Sequence, residues 1–460
     1  MMLIVGILML YLTGATLLMR ISTHFCWKEV ISYSFPIGLT INTLFMFVCD
    51  VIGFGFTEYV LFFASFAIIA LNYDLLYSYY QEHKKDMKLP SLSLSNMNYA
   101  AAFLSILILI LFYIITSKNL YWPTSEHDAI ASFDKLGMVM ALEGKIKISL
   151  FEYNLQGSGG IYPPLFHGGI AYLYLFGASS PKIISTLFYI SLILGFYSLV
   201  KKYVKPIMAL FFTLLLAVAP ELYSHAALLL SNLPATANVM IASLTLFIAI
   251  DKKEKSYLWL SAIFTAITLW TRNDTIGFAI AAIAIVFLSF YKSKDWKTIG
   301  GYALIAISTF VLWTLYLKLV IAIPQSSRFV DHLGFDSKKM ETMLLYVFSM
   351  FTWLQYGTMP PGHMLYGISF LLSIIIILLN IKNIRSDKAL VLFYFLISFA
   401  IYFMIFYLLD ENKQDAPISS LMESSFKRGM FCFIPILLFY SATCKVGIWI
   451  SDKIEAFRLG

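Results

Sequence analysis

Apolar blocks of roughly 17–25 residues recur along this chain, the length that spans the hydrocarbon core of a bilayer. The blocks run 2–19, 35–53, 58–80, 99–116, 183–200, 206–220, 233–250, 257–270, 275–291, 299–322, 364–381, 389–409 and 429–450. Inside a bilayer every backbone polar group must be satisfied by the segment that carries it, so such blocks become helices. The expected fold is therefore an all-α polytopic membrane protein. Composition agrees: 60% of the 460 residues are hydrophobic and 13% are charged, against about 25% charged in soluble proteins.

No polar segment is long enough for a separate soluble domain. We read N-terminal transmembrane helices over 1–98 and a membrane domain over 99–460, with its first external loop at 117–181. No basic patch with interleaved aromatics is present, so nucleic acid is not an expected partner. Cys26, Cys49, Cys432 and Cys444 lie in or beside apolar segments without metal-ligand spacing and read as small hydrophobes. The stretch ending at Arg20 has no basic leader and no clear cleavage site, and is expected to be a retained helix.

Lysine and arginine concentrate on the cytoplasmic side of membrane proteins. The clusters Arg20/Lys28, Lys84/Lys85/Lys88, Lys201/Lys202/Lys205, Lys252/Lys253/Lys255, Lys292/Lys294/Lys297, Lys382/Arg385/Lys388 and Lys445/Lys453/Arg458 share that side only if 164–177 does not cross. That piece gives roughly 21 Å of helix, short of a core of about 30 Å. It reads as re-entrant or interfacial. This leaves about thirteen spans, with the N-terminus outside and the C-terminus inside. The other arrangement lets 164–177 cross obliquely and turns Lys201–Lys205 outward.

In the first arrangement the unusual polar residues gather outside the cytoplasm. They lie in the loop from Ser117, in 220–232, at Arg272-Asn273-Asp274, in 323–363 and in 410–428. Loops held by a rigid scaffold are where function concentrates. The loop from Ser117 carries Thr124-Ser125-Glu126-His127-Asp128 near its start. Ile130, Phe133, Gly137, Met138 and Ala141 then recur at helical spacing, with Ser132, Asp134 and Lys135 opposite; this predicts an interfacial amphipathic helix. A glycine-rich turn, 156–160, precedes Tyr162-Pro163-Pro164-Leu165, stiff at its prolines.

Glu126 and Asp128 have a plain reading and a chemical one. Ser125-x-x-Asp128 resembles a capping box, and acids favour a helix N-terminus. In an extended segment, however, residues two apart point the same way. One carboxylate could then act as general base toward a hydroxyl, or the pair could hold a divalent cation.

Taken together, these features resemble a GT-C glycosyltransferase, most closely the protein O-mannosyltransferase and aminoarabinose-transferase branch. The resemblance runs from about Tyr99 onward. A span leads into a long external loop with the acidic pair Glu126 and Asp128. Tyr162-Pro163-Pro164-Leu165 and a run ending in Phe176-Gly177 follow. Ser231-Asn232-Leu233-Pro234, Thr271-Arg272-Asn273-Asp274, and Phe426-Lys427-Arg428 ahead of Pro435 complete it. Three spans precede the one leading into the loop, where many members begin with that span. The Trp-Trp-Asp signature of oligosaccharyltransferases is missing.

The resemblance implies inverting transfer of a sugar from a polyprenyl-phosphate donor to an acceptor hydroxyl on a protein, lipid or glycan. The outer face of a bacterial-type cytoplasmic membrane is the implied place, with membrane lipids as surroundings. Glu126 and Asp128 would be catalytic. His127, Tyr162, His167, Arg272, Asp274, Lys427 and Arg428 would bind substrate, the cations serving the departing phosphate. Arg328 and His332 are further donor-head candidates. For Arg272, Lys427 and Arg428 the plain reading is snorkelling at the interface; for His167 it is a buried structural imidazole. No cofactor is certain, and metal dependence stays open: Glu126 and Asp128 could hold a divalent cation. Two other classes stand beside this one. An O-antigen-type polymerase or ligase would lean on arginines in a large late loop, yet Arg328 is the only arginine in 323–363. A lipid-linked sugar transporter or flippase would show internal repeats and charge near mid-membrane.

Overall fold

The computed structural model describes residues 2–84, 99–152, 162–322, 334–411 and 416–459. The fold is all-α, with an isolated bridge between Tyr356 and Met359. The helices are α1 (Met2–Ile21), α2 (Trp27–Val51), α3 (Glu58–Ala70), α4 (Tyr73–His83), α5 (Tyr99–Tyr121), α6 (Lys135–Glu143), α7 (Ser149–Glu152), α8 (Leu165–Leu175), α9 (Ile183–Val200), α10 (Pro206–Ala217), α11 (Pro220–Ala226), α12 (Asn232–Lys252), α13 (Lys255–Thr271), α14 (Ile276–Phe290), α15 (Trp296–Tyr316), α16 (Ser337–Phe351), α17 (Gly362–Tyr366), α18 (Ser369–Leu379) and α19 (Ala389–Tyr407). Short helical pieces then lead into Ile434–Thr443 and Lys445–Leu459.

Among the described residues eight helices are long and apolar enough to cross a membrane, and up to eleven if each sharply bent pair counts as one span. The chain is an integral membrane protein. The thirteen spans expected from the sequence are not all continuous helices. The block 58–80 bends by 59° between α3 and α4. There the Asn72 amide donates back to the Ile68 carbonyl (2.6 Å) and accepts from Arg20 Nε (2.5 Å), competing with the helical ladder. The block 206–220 turns by 73° into α11. The block 364–381 is divided at Gly367, whose φ of +63° ends α17; glycine adopts that region without steric cost. The last block bends by 64° at Cys444, which is extended. The piece 164–177 is the eleven-residue α8, about 16 Å long and too short to cross.

The chain divides into two compact units. The first comprises Met1–Ser198, His225–Asn273 and Gly300–Ile323; the second comprises Leu199–Ser224, Asp274–Ile299 and Pro324–Gly460. In the first, α1 and α2 cross at mutual glycines. A Cβ at Gly14 would run into the Ser34 carbonyl, and one at Gly38 into that of Leu10. Small residues let helix backbones approach where lipid supplies no hydrophobic drive. At the end of α2, Asp50 accepts the backbone N–H groups of Ile146 (2.9 Å) and Lys147 (3.3 Å) and the Tyr316 hydroxyl. Phe56 N–H donates to the Gly144 carbonyl at 2.9 Å. The far end of the Glu126 loop is thus tied to the N-terminal helices.

In the second unit α14 lies along α19. A Cβ at Gly277 would stand 3.1 Å from Ile401, tighter than an ordinary contact. An aromatic cluster of Phe395, Phe399, Tyr402, Phe426 and Phe433 fills the space beside them. The Tyr402 hydroxyl donates to the Phe426 carbonyl at 2.9 Å, so the segment entering Lys427 is fixed from below.

Candidate active site

α5 delivers the acidic loop. It contacts the rest of its unit along one narrow stripe: Ile108, Ile115 and Asn119 are buried, and Phe112 meets Tyr189 of α9 edge-on at 5.4 Å. Two turns further out, the fully buried Asn119 amide donates to Thr186 Oγ1 of α9 (2.9 Å) and to the Ala226 carbonyl (2.8 Å). Beyond that, Lys182 Nζ, just before α9, donates to the Pro123 carbonyl at 3.3 Å. These contacts form successive rungs of an antiparallel pair, and the last sits three residues before Glu126.

The capping box of the plain reading is not formed. The helical turn begins at His127, and Ile130 N–H donates to the Glu126 carbonyl at 3.0 Å, which makes Glu126 the residue preceding the helix. The Ser125 hydroxyl donates to Glu126 Oε1 at 3.1 Å. Glu126 Oε2 is buried and has no hydrogen-bond partner among the described residues. Leaving a carboxylate oxygen dry and unpaired is costly. Asp128 makes no side-chain cap bond, and its side chain is 40% exposed. His127 stands 84% exposed, its Nδ1 3.8 Å from Asp128 Oδ1.

The loop helix differs from its expected face. Residues 129–134 form a π-helical turn ahead of α6. The buried stripe is Ala129, Ser132, Phe133, Leu136, Gly137 and Met140, whereas Ile130 and Met138 are exposed. A π turn adds a residue per turn, so a 3.6-residue period carried through it assigns the wrong face. The buried stripe meets α8. A Cβ at Gly137 would run into Ile170, and the Tyr174 hydroxyl donates to Asp134 Oδ1 at 2.5 Å. Burial, and then the hydrogen bond to the Asp134 carboxylate, push the Tyr174 hydroxyl's pKa up.

Around this contact three rings lie nearly parallel. Phe133 stacks on Tyr162 at 5.8 Å and on His167 at 5.1 Å, and Tyr162 lies 6.4 Å from His167. Burial lowers the pKa of His167 to about 4, so it is a neutral imidazole in this cluster; its Nε2 has no partner. The Arg272 guanidinium stands over the Tyr162 ring at 5.4 Å and reaches Ser231 Oγ at 3.4 Å. A delocalised cation over a tyrosine face is an attractive, planar arrangement. Tyr162, His167 and Arg272 are therefore brought together, with Ser231 beside them.

Asp274, Lys427 and Arg428 belong to the second unit. Asp274 lies in a short 3₁₀ turn between α13 and α14. Lys427 Nζ is 3.9 Å from Glu221 Oε1, both side chains mostly buried. The Tyr366 hydroxyl donates to the Lys427 carbonyl at 2.8 Å. Arg428 follows in the same helical turn, half-buried, after a π-helical stretch at 422–426. Glu423, in that stretch, accepts from the Tyr346 hydroxyl (2.7 Å), the Thr358 hydroxyl (2.6 Å) and the Thr358 N–H (3.2 Å). These bonds hold its carboxyl below the usual range, with the Lys427 charge assisting. Arg328 and His332 lie outside the described residues, as does the glycine-rich turn.

Sequence reasoning passed over three of these residues. Lys182 is 1% exposed, and a lone lysine after Pro181 at the start of an apolar block was its only signal. Asn119 looked like any polar residue at a span end. Glu423 lay in a polar stretch without a motif. Among the described residues no group of three or more His, Cys, Asp and Glu side chains could hold a metal ion. The acidic loop offers a buried carboxylate oxygen, and the Tyr162 cluster a guanidinium over an aromatic ring.

The family model for dolichyl-phosphate-mannose-protein mannosyltransferases matches residues 162–313. No curated protein and no solved structure matches the chain. The matched segment begins at Tyr162 and includes α8, Lys182, Ser231 and Arg272. Residues 162–313 are thus similar to a GT-C superfamily domain, that of the dolichyl-phosphate-mannose-protein mannosyltransferase model.

Proposed function

We propose that the protein transfers a sugar from a polyprenyl-phosphate donor to an acceptor hydroxyl, with inversion, on the non-cytoplasmic face of the membrane. The family match supports a glycosyltransferase; donor and face are our reading. Glu126 is the general base. Its buried, unpartnered Oε2 is the observation that carries this role. An acceptor hydroxyl placed there donates the hydrogen bond that the oxygen lacks. As the oxygen attacks the anomeric carbon, the proton passes to Glu126 and the C–O bond to the lipid phosphate breaks. Arg272, held over the Tyr162 ring and bonded to Ser231, receives the departing phosphate charge. Asp128, in the first helical turn, serves the fold of the loop rather than the proton transfer.

The test is transfer by purified full-length protein in lipid vesicles. The donors are polyprenyl-phosphate-linked mannose, glucose and aminoarabinose, each labelled in the sugar, with membrane lipid, glycan and protein fractions as acceptors. The reading expects label to move to one acceptor fraction with one donor. Donor bound or moved across the vesicle without sugar transfer would replace it with the transporter class.

A further inference from the structure

We infer that α4 lies flat in the headgroup zone of the membrane, on the side where α1 and α2 join, with a stripe of tyrosines turned to lipid. It is a surface helix, not the second half of a span over 58–80. It contains none of the residues given a part in sugar transfer.

The 59° bend between α3 and α4 comes where the chemistry of the chain changes. α3 carries no charged side chain after Glu58, whereas α4 carries Asp74, Glu82 and His83. The bend also stands level with a helix end. At the bend Asn72 Oδ1 accepts from Arg20, in the last turn of α1, and an arginine at the end of a span holds its charge at the interface. Further along α4 the Tyr79 hydroxyl donates to the Phe25 carbonyl at 2.8 Å, in the connection between α1 and α2. α4 therefore starts where α1 stops and runs beside the α1–α2 turn.

At about 100° per residue, α4 has three faces. Leu75, Leu76 and Tyr79 share one, and they pack with Ala15 and Met19 of α1 and Val30 of α2. Asp74, Ser78, Gln81 and Glu82 share a second, which is exposed and polar. Tyr73, Tyr77, Tyr80 and Lys84 share the third, also exposed. Tyr73 and Tyr77 stack there at 6.3 Å, and Lys84 Nζ donates sideways to Gln81 at 2.8 Å. The spacing of this third face continues the exposed stripe Tyr59, Phe63, Phe66 and Ala70 of α3, so it extends a surface that α3 turns to lipid. Phe63 and Phe66 suit hydrocarbon. Tyrosines, with an apolar ring and a polar tip, suit the boundary between acyl chains and headgroups. A spanning α4 would carry Asp74 and Glu82 into the membrane, where carboxylates are costly. A helix lying flat sets them in water, its tyrosines in the boundary, and its third side on the protein.

The experiment places nitroxide labels on single cysteines in the full-length protein in vesicles. The background is C26S, because Cys26 is exposed whereas Cys49, Cys432 and Cys444 are buried. Collision with oxygen and with a water-soluble nickel chelate gives the depth of each label. Y73C, Y77C and Y80C are expected at one depth, within about 3 Å of each other and just below the phosphates, while S78C and Q81C meet the chelate freely. A depth that changes steadily, by about 10 Å from 73 to 80, makes α4 part of a span and overturns the proposal. Labels at 73, 77 and 80 that are immobilised and shielded from both reagents place a protein partner or a second copy on this face, and overturn it too. So do labels there as open to the chelate as those at 78 and 81. A second measurement needs no added cysteine. Y77W should add fluorescence that is quenched most by lipids brominated near the headgroup; strongest quenching by bromines at the acyl-chain ends contradicts a surface helix.

Discussion

Two glutamates, one in each compact unit, make the instructive contrast. Glu423 accepts three hydrogen bonds, from the Tyr346 hydroxyl and from the hydroxyl and N–H of Thr358. Glu126 accepts one, from its neighbour Ser125, and its other oxygen is buried with none. Both follow from local geometry. Glu423 sits where a π-helical stretch faces the turn at 358 and the hydroxyl of Tyr346. Glu126 precedes a helix whose first turn points its own N–H groups elsewhere. A carboxylate whose lone pairs are filled holds loops together. One left buried and unfilled carries a cost, and such costs gather at functional sites.

The contrast can be broken by substitution, and the largest effect belongs to Glu126. E126Q keeps the shape of the side chain and removes its basicity. Transfer is expected to fall by roughly 10²–10⁴, the usual worth of general-base catalysis, with the protein still monodisperse in detergent. Next comes Arg272. R272A removes the planar cation over Tyr162, and transfer is expected to drop about 10–100-fold, equivalent to ~1.4–2.7 kcal/mol. R272K should recover only part of that, because an ammonium cannot lie flat on the ring or offer two parallel donors.

Glu423 should show the opposite profile. E423Q is expected to cost stability by about 1 kcal/mol, read as a lower midpoint of thermal unfolding in detergent, while transfer changes little. The pH sign follows from its depressed carboxyl. The folded state releases this proton more readily than the unfolded one, so its stabilisation is complete above the ordinary carboxylate range. It is lost as pH falls through the lower folded value. Acid titration of the unfolding midpoint should therefore converge for E423Q and the unaltered protein at low pH and separate them near neutrality. The smallest effect is expected at Asp128, where D128N should change transfer by less than about threefold, since removing a single exposed first-turn acid costs a helix only some tenths of a kcal/mol.

Much of the scaffold was legible in the chain. Apolar blocks of bilayer length marked the helices because hydrocarbon leaves no other way to satisfy the backbone. The shortness of 164–177 was readable by arithmetic, and α8 is a short helix. Tyr162 and Arg272 were found through their motif neighbours, and the structure sets one over the other. What escaped reading depends on contacts distant in sequence. The bends at Asn72, Gly367 and Cys444 come from side-chain bonds or single dihedrals within blocks of uniform hydropathy. The π turn at 129–134 moved the buried face of the loop helix by one residue, which no α-helical period can anticipate. Lys182 lies far along the chain from Glu126, and only the antiparallel pairing of α5 with α9 brings its charge to the loop. The two carboxylates Glu126 and Asp128 looked equivalent as letters; the start of the helix at His127 separates them, leaving one before the helix with a dry oxygen and the other within its first turn.

The account turns on that separation. The most direct measurement is the single-turnover rate of sugar transfer by E126Q and D128N, side by side, in vesicles with saturating donor. The account predicts a rate for E126Q at least about 100-fold below that of D128N. Equal rates, or a greater loss in D128N, would contradict it.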